Sequence, residues 1–120
     1  MPKILIADDS LFMRKLIGKI LTDRGHTIIG EASSGQDAVE KYAKLRPDLV
    51  TMDIVMPGMN GLAALKKIVQ LDPQAKVIMV TALGQEPLAI EAVKNGAAEF
   101  VVKPFKVDQV AKAVEKVLSL

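Results

Sequence analysis

Two adjacent aspartates, Asp8 and Asp9, end the first apolar run of the sequence, KILIADDS. Ionised carboxylates this close raise each other's pKa and cost free energy unless a positive group lies between them. A turn that caps the following helix is the simpler interpretation, because Asp is common at such caps. The pair alone does not distinguish a helix cap from a cation site.

Polar residues also end other apolar runs of the chain. Asp53 ends DLVTMD, Thr81 lies near the end of KVIMVTA, and Lys103 ends EFVVK. If these runs are parallel strands of one sheet, their carboxyl ends meet at one edge, where open α/β proteins form their sites. We therefore expect these residues and the aspartate pair to lie together at that edge.

This set of residues suits phosphoryl chemistry. Three clustered carboxylates need a divalent cation, and an all-oxygen set with room for water favours Mg²⁺, with Mn²⁺ as the alternative. A carboxylate can itself attack phosphorus and form an aspartyl phosphate, and Asp53 is the natural nucleophile because it stands alone on its strand. Lys103 can offer a positive charge and Thr81 a hydroxyl to phosphoryl oxygens, while the small Ala82 leaves the site open.

The elements that must position these residues alternate regularly. Short apolar runs and segments with helical spacing follow each other five times, which predicts one α/β domain over residues 1–120 with a doubly wound parallel sheet. The predicted strands are residues 3–7, 26–32, 48–53, 76–82 and 99–103. Apolar stripes of the first and last helices are expected to face the core: Met13, Leu16, Ile17, Ile20 and Leu21, then Val107, Val110, Ala111, Val114, Val117 and Leu118.

Composition excludes several classes of function. Charged residues make up 25% of the 120 residues and balance to +2, and the sixteen basic residues are scattered, which argues against nucleic acid as a partner. Without cysteine there is no disulfide, thiolate metal site or thiol nucleophile. No apolar run has the length of a membrane span, and none has the form of a signal peptide. We expect a soluble cytoplasmic protein.

Four motifs together resemble the receiver domain of two-component response regulators. They are DDS after the first strand, DLVTMDIVMPGMNG around Asp53, VTA at 80–82 and KPF at 103–105, and their order and spacing match over the whole chain. The resemblance implies a flavodoxin-like (βα)5 three-layer sandwich with strand order 2-1-3-4-5. Within the family, the chain most resembles the stand-alone regulators of chemotaxis.

The resemblance assigns a role to each residue that could hold the metal. Asp53 would accept a phosphoryl group from a phosphohistidine of a sensor histidine kinase. Asp9 and Asp53 would bind Mg²⁺ directly and Asp8 through water, and the backbone carbonyl of Val55 would complete the protein ligands.

The resemblance also assigns residues that hold and report the phosphoryl group. Lys103 and Thr81 would bind it, with Ala82 beside them, and the Lys103–Pro104 peptide bond would be cis to aim the lysine. Phe100 occupies the position of an aromatic switch residue that moves inward when Thr81 shifts. A phenylalanine there lacks the hydroxyl that a tyrosine could use toward a target.

The partners are also implied by the resemblance. They are the kinase, a downstream target on the face formed by the fourth helix, fifth strand and fifth helix, such as a flagellar switch protein, and a phosphatase. The chain would act as a monomer, without binding nucleic acid or membrane. Because no second domain is expected, signalling would go through a partner.

Other classes of function fit the sequence less well. A phosphatase of the haloacid-dehalogenase type places its nucleophile in an Asp-x-Asp pattern after the first strand, which Asp8-Asp9-Ser10 does not match. A flavodoxin-type electron carrier needs a loop rich in Ser, Thr and Gly at that place, and aromatic side chains around the flavin. The chain has no Trp and one Tyr. A receiver in another phosphorelay stays open as an alternative.

Overall fold

The computed structural model describes residues 1–120 and contains five strands and five helices in strict alternation. They are β1 (Lys3–Ala7), α1 (Leu11–Thr22), β2 (Thr27–Ala32), α2 (Gly35–Leu45), β3 (Leu49–Asp53), α3 (Gly61–Leu71), β4 (Val77–Ala82), α4 (Glu86–Lys94), β5 (Glu99–Lys103) and α5 (Val107–Leu118). All paired strands are parallel, and their order is β2-β1-β3-β4-β5. This confirms the predicted doubly wound sheet and its strand order. None of the helices combines the length and apolarity that crossing a bilayer requires.

The sheet separates two apolar cores because successive side chains of a strand point to opposite faces. In β1, Ile4 and Ile6 pack with residues of α1 and α5, whereas Leu5 and Ala7 pack with residues of α2, α3 and α4. All four of these side chains are buried. The near-continuous apolar strands of the sequence are therefore explained by burial on both faces.

The same alternation decides where the chemistry-bearing residues lie. Residues an even number of positions apart on a strand share a face. Asp8 comes two residues after Ile6, Asp53 comes four residues after Leu49, and Lys103 comes two residues after Val101. Each of these apolar residues belongs to the core under α1 and α5, so the three polar residues extend that face beyond the carboxyl edge. Thr81 follows Met79 on the opposite face.

The apolar stripes of α1 and α5 lie against the sheet with one exception. Ile17 and Ile20 of α1 and Val110 and Val114 of α5 are buried, but Val107 is 53% exposed. The prediction of a core contact for Val107 was wrong because this first residue of α5 extends past the carboxyl end of β5. The remaining residues of the stripes are buried or partly buried.

His26 also differs from expectation. The sequence suggests an exposed residue at the start of the second strand, but His26 is partly buried and its Nδ1 has no hydrogen-bond partner. The cause is the tight turn after α1, in which the His26 N–H donates to the Leu21 carbonyl at 3.1 Å. This turn folds the histidine back toward the end of the helix.

Candidate functional site

Three carboxylates meet at the carboxyl edge of the sheet. Asp8, Asp9 and Asp53 each offer an oxygen, and these oxygens all lie within 4.8 Å of one another. Asp8 and Asp53 are 1% and 6% exposed, while Asp9 faces solvent. The structure therefore brings together the acidic residues that the sequence analysis placed at this edge.

Helix capping does not explain the aspartate pair. Ser10 is the N-cap of α1, and its hydroxyl accepts a hydrogen bond from the Met13 N–H at 3.1 Å. Asp8 instead turns one carboxylate oxygen toward the Ser10 N–H, at 2.9 Å, and Asp9 makes no side-chain hydrogen bond. Because a serine supplies the cap, the Asp9 carboxylate stays free for a ligand.

Lys103 lies between the two buried carboxylates. Its Nζ is 3.3 Å from Asp8 Oδ2 and 3.4 Å from Asp53 Oδ2. The lysine ends β5, and the peptide bond to Pro104 that follows it is cis. One positive charge therefore offsets part of the repulsion in the cluster.

One lysine does not neutralise this cluster. Burial of the carboxyl group, and then the neighbouring charge of Asp8, raise the pKa of Asp53 to about 6, although Lys103 acts in the opposite direction. A carboxylate keeps a raised pKa when the surrounding positive charge is too small. The donor set of three carboxylates with an exposed member fits a hard divalent cation such as Mg²⁺.

The loop after β3 is fixed by close packing against α3. A Cβ on Gly61 would lie 2.0 Å from the Asp53 carbonyl oxygen, and the Gly61 N–H donates to the Ile54 carbonyl at 2.7 Å. Only glycine allows this approach. The start of α3 therefore packs directly against the backbone of Asp53 and Ile54, and Val55, the next residue, is exposed at the edge of the sheet.

Thr81 and Ala82 lie at the carboxyl end of β4, between the strands that carry Asp53 and Lys103, and Phe100 lies further from that edge on β5. Thr81 is fully buried, and its hydroxyl donates weakly to the Ala82 carbonyl, at 3.4 Å. Phe100 is partly buried and packs against the core under α2, α3 and α4. Thr81 pairs with Val102 across the two strands, so Thr81 and Phe100 share one face of the sheet.

Arg14 contacts the site but was not among the predicted residues. Its Nη1 donates to the Asp8 carbonyl at 2.8 Å, and its Nε donates to Glu31 Oε1 at 2.9 Å. The sequence offers a weak signal, which is a basic residue one turn into the helix that follows the aspartate pair. A basic residue in that position is more often solvated, so only the fold reveals the contact.

The largest cavity lies at the opposite edge of the sheet. It measures about 620 Å³, and its lining includes Tyr42, Asp48, Asp72 and Lys76. Three of its polar side chains are paired within the protein, since the Tyr42 hydroxyl donates to Asp72 Oδ2 at 2.8 Å and Asp48 Oδ2 accepts from the Lys3 N–H at 2.7 Å. Burial raises the pKa of Tyr42, which stays a neutral donor. The Tyr42 hydroxyl and the carboxylates of Asp48 and Asp72 are thus already engaged in structural hydrogen bonds.

Comparison with known proteins identifies the family. The model of the response regulator receiver domain matches residues 4–115. The chain is 50% identical to the chemotaxis protein CheY of Thermotoga maritima over 115 residues, 96% of each chain. It is also 50% identical to CheY of Bacillus subtilis over 117 residues, 98% of each chain.

A solved structure shows the same fold. The crystal structure of the CheX-CheY-BeF3-Mg complex from Borrelia burgdorferi matches with a TM-score of 0.92 and 41% identity, covering 96% of this chain and 87% of that one. The chain belongs to the receiver domain family of response regulators. Membership in this family, together with a first strand that ends in Asp8-Asp9-Ser10, argues against the flavodoxin-type and haloacid-dehalogenase alternatives.

Proposed function

We propose that this protein is a response regulator that accepts a phosphoryl group on Asp53 and signals by binding a partner in chemotaxis. The observation that carries the proposal is the position of Asp53, which is buried beside two further carboxylates and in contact with Lys103. A phosphoacceptor needs this combination of a nucleophilic oxygen and nearby groups that neutralise phosphoryl charge.

In the proposed reaction, a carboxylate oxygen of Asp53 attacks phosphorus of a phosphohistidine on a sensor histidine kinase of the CheA type. An O–P bond forms while the P–N bond breaks, and the electron pair of that bond leaves with the histidine nitrogen. With its pKa raised to about 6, Asp53 is mostly ionised at neutral pH and able to attack. The chain would act as a phosphoacceptor signalling protein rather than a classical enzyme, and autophosphorylation from small donors and autodephosphorylation by water would be chemistry of its own site.

The carboxylates of Asp8, Asp9 and Asp53 and the carbonyl of Val55 would hold Mg²⁺, or Mn²⁺ in its place. When bound, the ion supplies positive charge that stabilises the transferring phosphoryl oxygens. The protein contributes the fixed position of these ligands, since Asp8 and Asp53 are buried and Asp53 is held by Gly61.

Lys103, Thr81 and Ala82 would hold the phosphoryl group after transfer. The Lys103 ammonium already contacts Asp53 Oδ2 at 3.4 Å, so it can move to a phosphoryl oxygen with little rearrangement. The Thr81 hydroxyl makes only a weak contact in this structure, at 3.4 Å, and is therefore available as a donor. The small side chain of Ala82 leaves room beside both.

The output surface in this proposal is the face of α4, β5 and α5. Ile90 and Val93, three residues apart on one side of α4, are 50% and 41% exposed, which suits a partner with apolar contacts. A flagellar switch protein is the proposed target, and a separate phosphatase would end the signal. Chemotaxis in the cytoplasm is supported by the similarity to CheY proteins over nearly the whole of both chains.

Phosphotransfer from a kinase tests this function. A CheA-type kinase carrying radioactive phosphohistidine should lose its label to the wild-type protein in the presence of Mg²⁺. Asp53→Asn should receive none, whereas Asp23→Asn, which changes a carboxylate in the turn after α1, should be labelled like wild type. Equal labelling of Asp53→Asn would contradict the proposal.

A further inference from the structure

Arg14 bridges Asp8 of the acidic cluster and Glu31 of β2. Its guanidinium donates to the Asp8 carbonyl and to Glu31 Oε1, at 2.8 and 2.9 Å, and its side chain is 15% exposed. The planar guanidinium has donors pointing in fixed directions, so two acceptors on different elements fix its orientation.

The Asp8 carbonyl needs this donor. Asp8 lies just beyond the end of β1, where its own N–H still pairs with the Ala32 carbonyl at 2.9 Å. No main-chain N–H of the surrounding turn donates to its carbonyl, and the residue is 1% exposed. A buried carbonyl that loses its partner is costly, so the Arg14 contact holds this peptide group in its observed orientation.

Glu31 connects Arg14 to the sheet. It pairs with Ile6 in the register of β1 and β2, and its second carboxylate oxygen is 2.7 Å from Lys15 Nζ. The glutamate is therefore fixed by the strand and shared by two cations. Only one of them, Arg14, also reaches the acidic cluster.

We infer that Arg14 is a positioning residue for the cation site, because it fixes the peptide group that joins Asp8 to Asp9 and so orients the Asp9 carboxylate. Asp9 needs such support, since it is exposed and has no side-chain hydrogen bond of its own. Partners that orient metal ligands commonly change metal affinity by about 10- to 100-fold. The inference rests on the proposed Mg²⁺ site.

Charge and positioning predict opposite effects when Arg14 is replaced. Removing a positive charge near three carboxylates would by itself make the site more negative and strengthen Mg²⁺ binding. Removing the support of the Asp8–Asp9 peptide would weaken binding. The sign of the change therefore identifies the role of the arginine.

The experiment compares Arg14→Gln with Lys15→Gln in titrations with MgCl₂ alone, followed by calorimetry and by the amide NMR signals of Asp9 and Ser10. Both variants remove one positive charge and one partner of Glu31, but only Arg14 contacts Asp8. We expect Arg14→Gln to bind Mg²⁺ about 10-fold more weakly. Lys15→Gln should bind it as tightly as wild type or slightly more tightly.

Arg14→Lys keeps the inference testable if Arg14→Gln does not fold, as judged by thermal melts. This substitution preserves the charge, but an ammonium group lacks the planar, fixed donors with which the guanidinium bonds both the Asp8 carbonyl and Glu31. Weaker Mg²⁺ binding is therefore again expected. Unchanged or tighter binding in the folded variant, with normal binding by wild type, would overturn the inference and leave the proposed function intact. If wild type bound no Mg²⁺, the proposed function would fail, and the inference with it.

Discussion

Asp53 links the chemistry of the site to the stability of the fold. Its pKa in the folded protein is about 6, against an ordinary value of 3.8, because it is buried and close to Asp8. The folded state therefore holds this proton to higher pH than the unfolded chain does. The stability that this group contributes is fully present below about pH 4 and is lost as the pH rises through about 6.

Replacing Asp53 by Asn should consequently stabilise the metal-free protein at pH 7. A pKa shift of this size corresponds to at most about 3 kcal/mol, and water at the edge of the sheet reduces it, so we expect a gain of about 1–2 kcal/mol. Urea unfolding in EDTA at several pH values measures this, and the gain should shrink from pH 7 to pH 4. A variant no more stable than wild type at pH 7 would contradict the claim that burial and the charge of Asp8 destabilise the ionised carboxylate.

At the scale of elements, the site depends on how closely α3 approaches the end of β3. A Cβ on Gly61 would meet the backbone of Asp53, whose carbonyl oxygen would be 2.0 Å away. Backbone atoms cannot rotate away as a flexible side chain does, so the start of the helix and the end of the strand must separate. Asp53, the proposed phosphoacceptor, would move with the strand.

Gly61→Ala should therefore lower the free energy of unfolding by about 3 kcal/mol or more. Gly18→Ala is the matched control, because a Cβ there meets only the Ile6 side chain, at an ordinary 3.7 Å. That change within α1 should stabilise the protein by about 0.5–1 kcal/mol. Both changes in the free energy of unfolding can be measured with denaturant. Similar effects of the two substitutions would contradict the close packing of α3 against the end of β3.

The helices, the strands and the acidic cluster were predictable from the sequence because they depend on local patterns of apolar and polar residues. Strand-length apolar runs that end in Asp9, Asp53 and Lys103 place those residues at one edge once the strands are parallel. Three features depended on packing between distant segments and could not be read from the sequence. They are the contact of Arg14 with Asp8, the exposure of Val107 and the partial burial of His26.

At the scale of the whole molecule, the proposed function requires that phosphorylation at the edge of the sheet change the face of α4, β5 and α5. Thr81 and Phe100 lie on the same sheet face in adjacent strands, since Met79 pairs with Phe100 and Thr81 with Val102. A threonine hydroxyl that follows a phosphoryl oxygen would vacate space beside β5, into which the partly buried Phe100 ring can move. We therefore propose that the two residues form a two-state element connecting the phosphoryl site to the output face.

Thr81→Ala should keep Mg²⁺ binding but weaken this coupling. In wild type, adding beryllofluoride and Mg²⁺ should shift the amide NMR signals near Phe100 and along residues 85–95, and the shifts should be clearly smaller in the variant. A ligand moves the population only by its different affinity for the two states, so the wild-type response can be partial. Shifts of wild-type size in Thr81→Ala would rule out the threonine as the link.

The most direct test of the central claim is chemical labelling of the protein by a small phosphoryl donor, because the claim assigns the reaction to this chain's own residues. Acetyl phosphate with Mg²⁺ should modify Asp53, and borohydride trapping followed by mass spectrometry should locate the label there. Labelling should disappear in EDTA and in Asp53→Asn. A label at another residue, or full labelling of Asp53→Asn, would contradict the assignment of Asp53 as the phosphoacceptor.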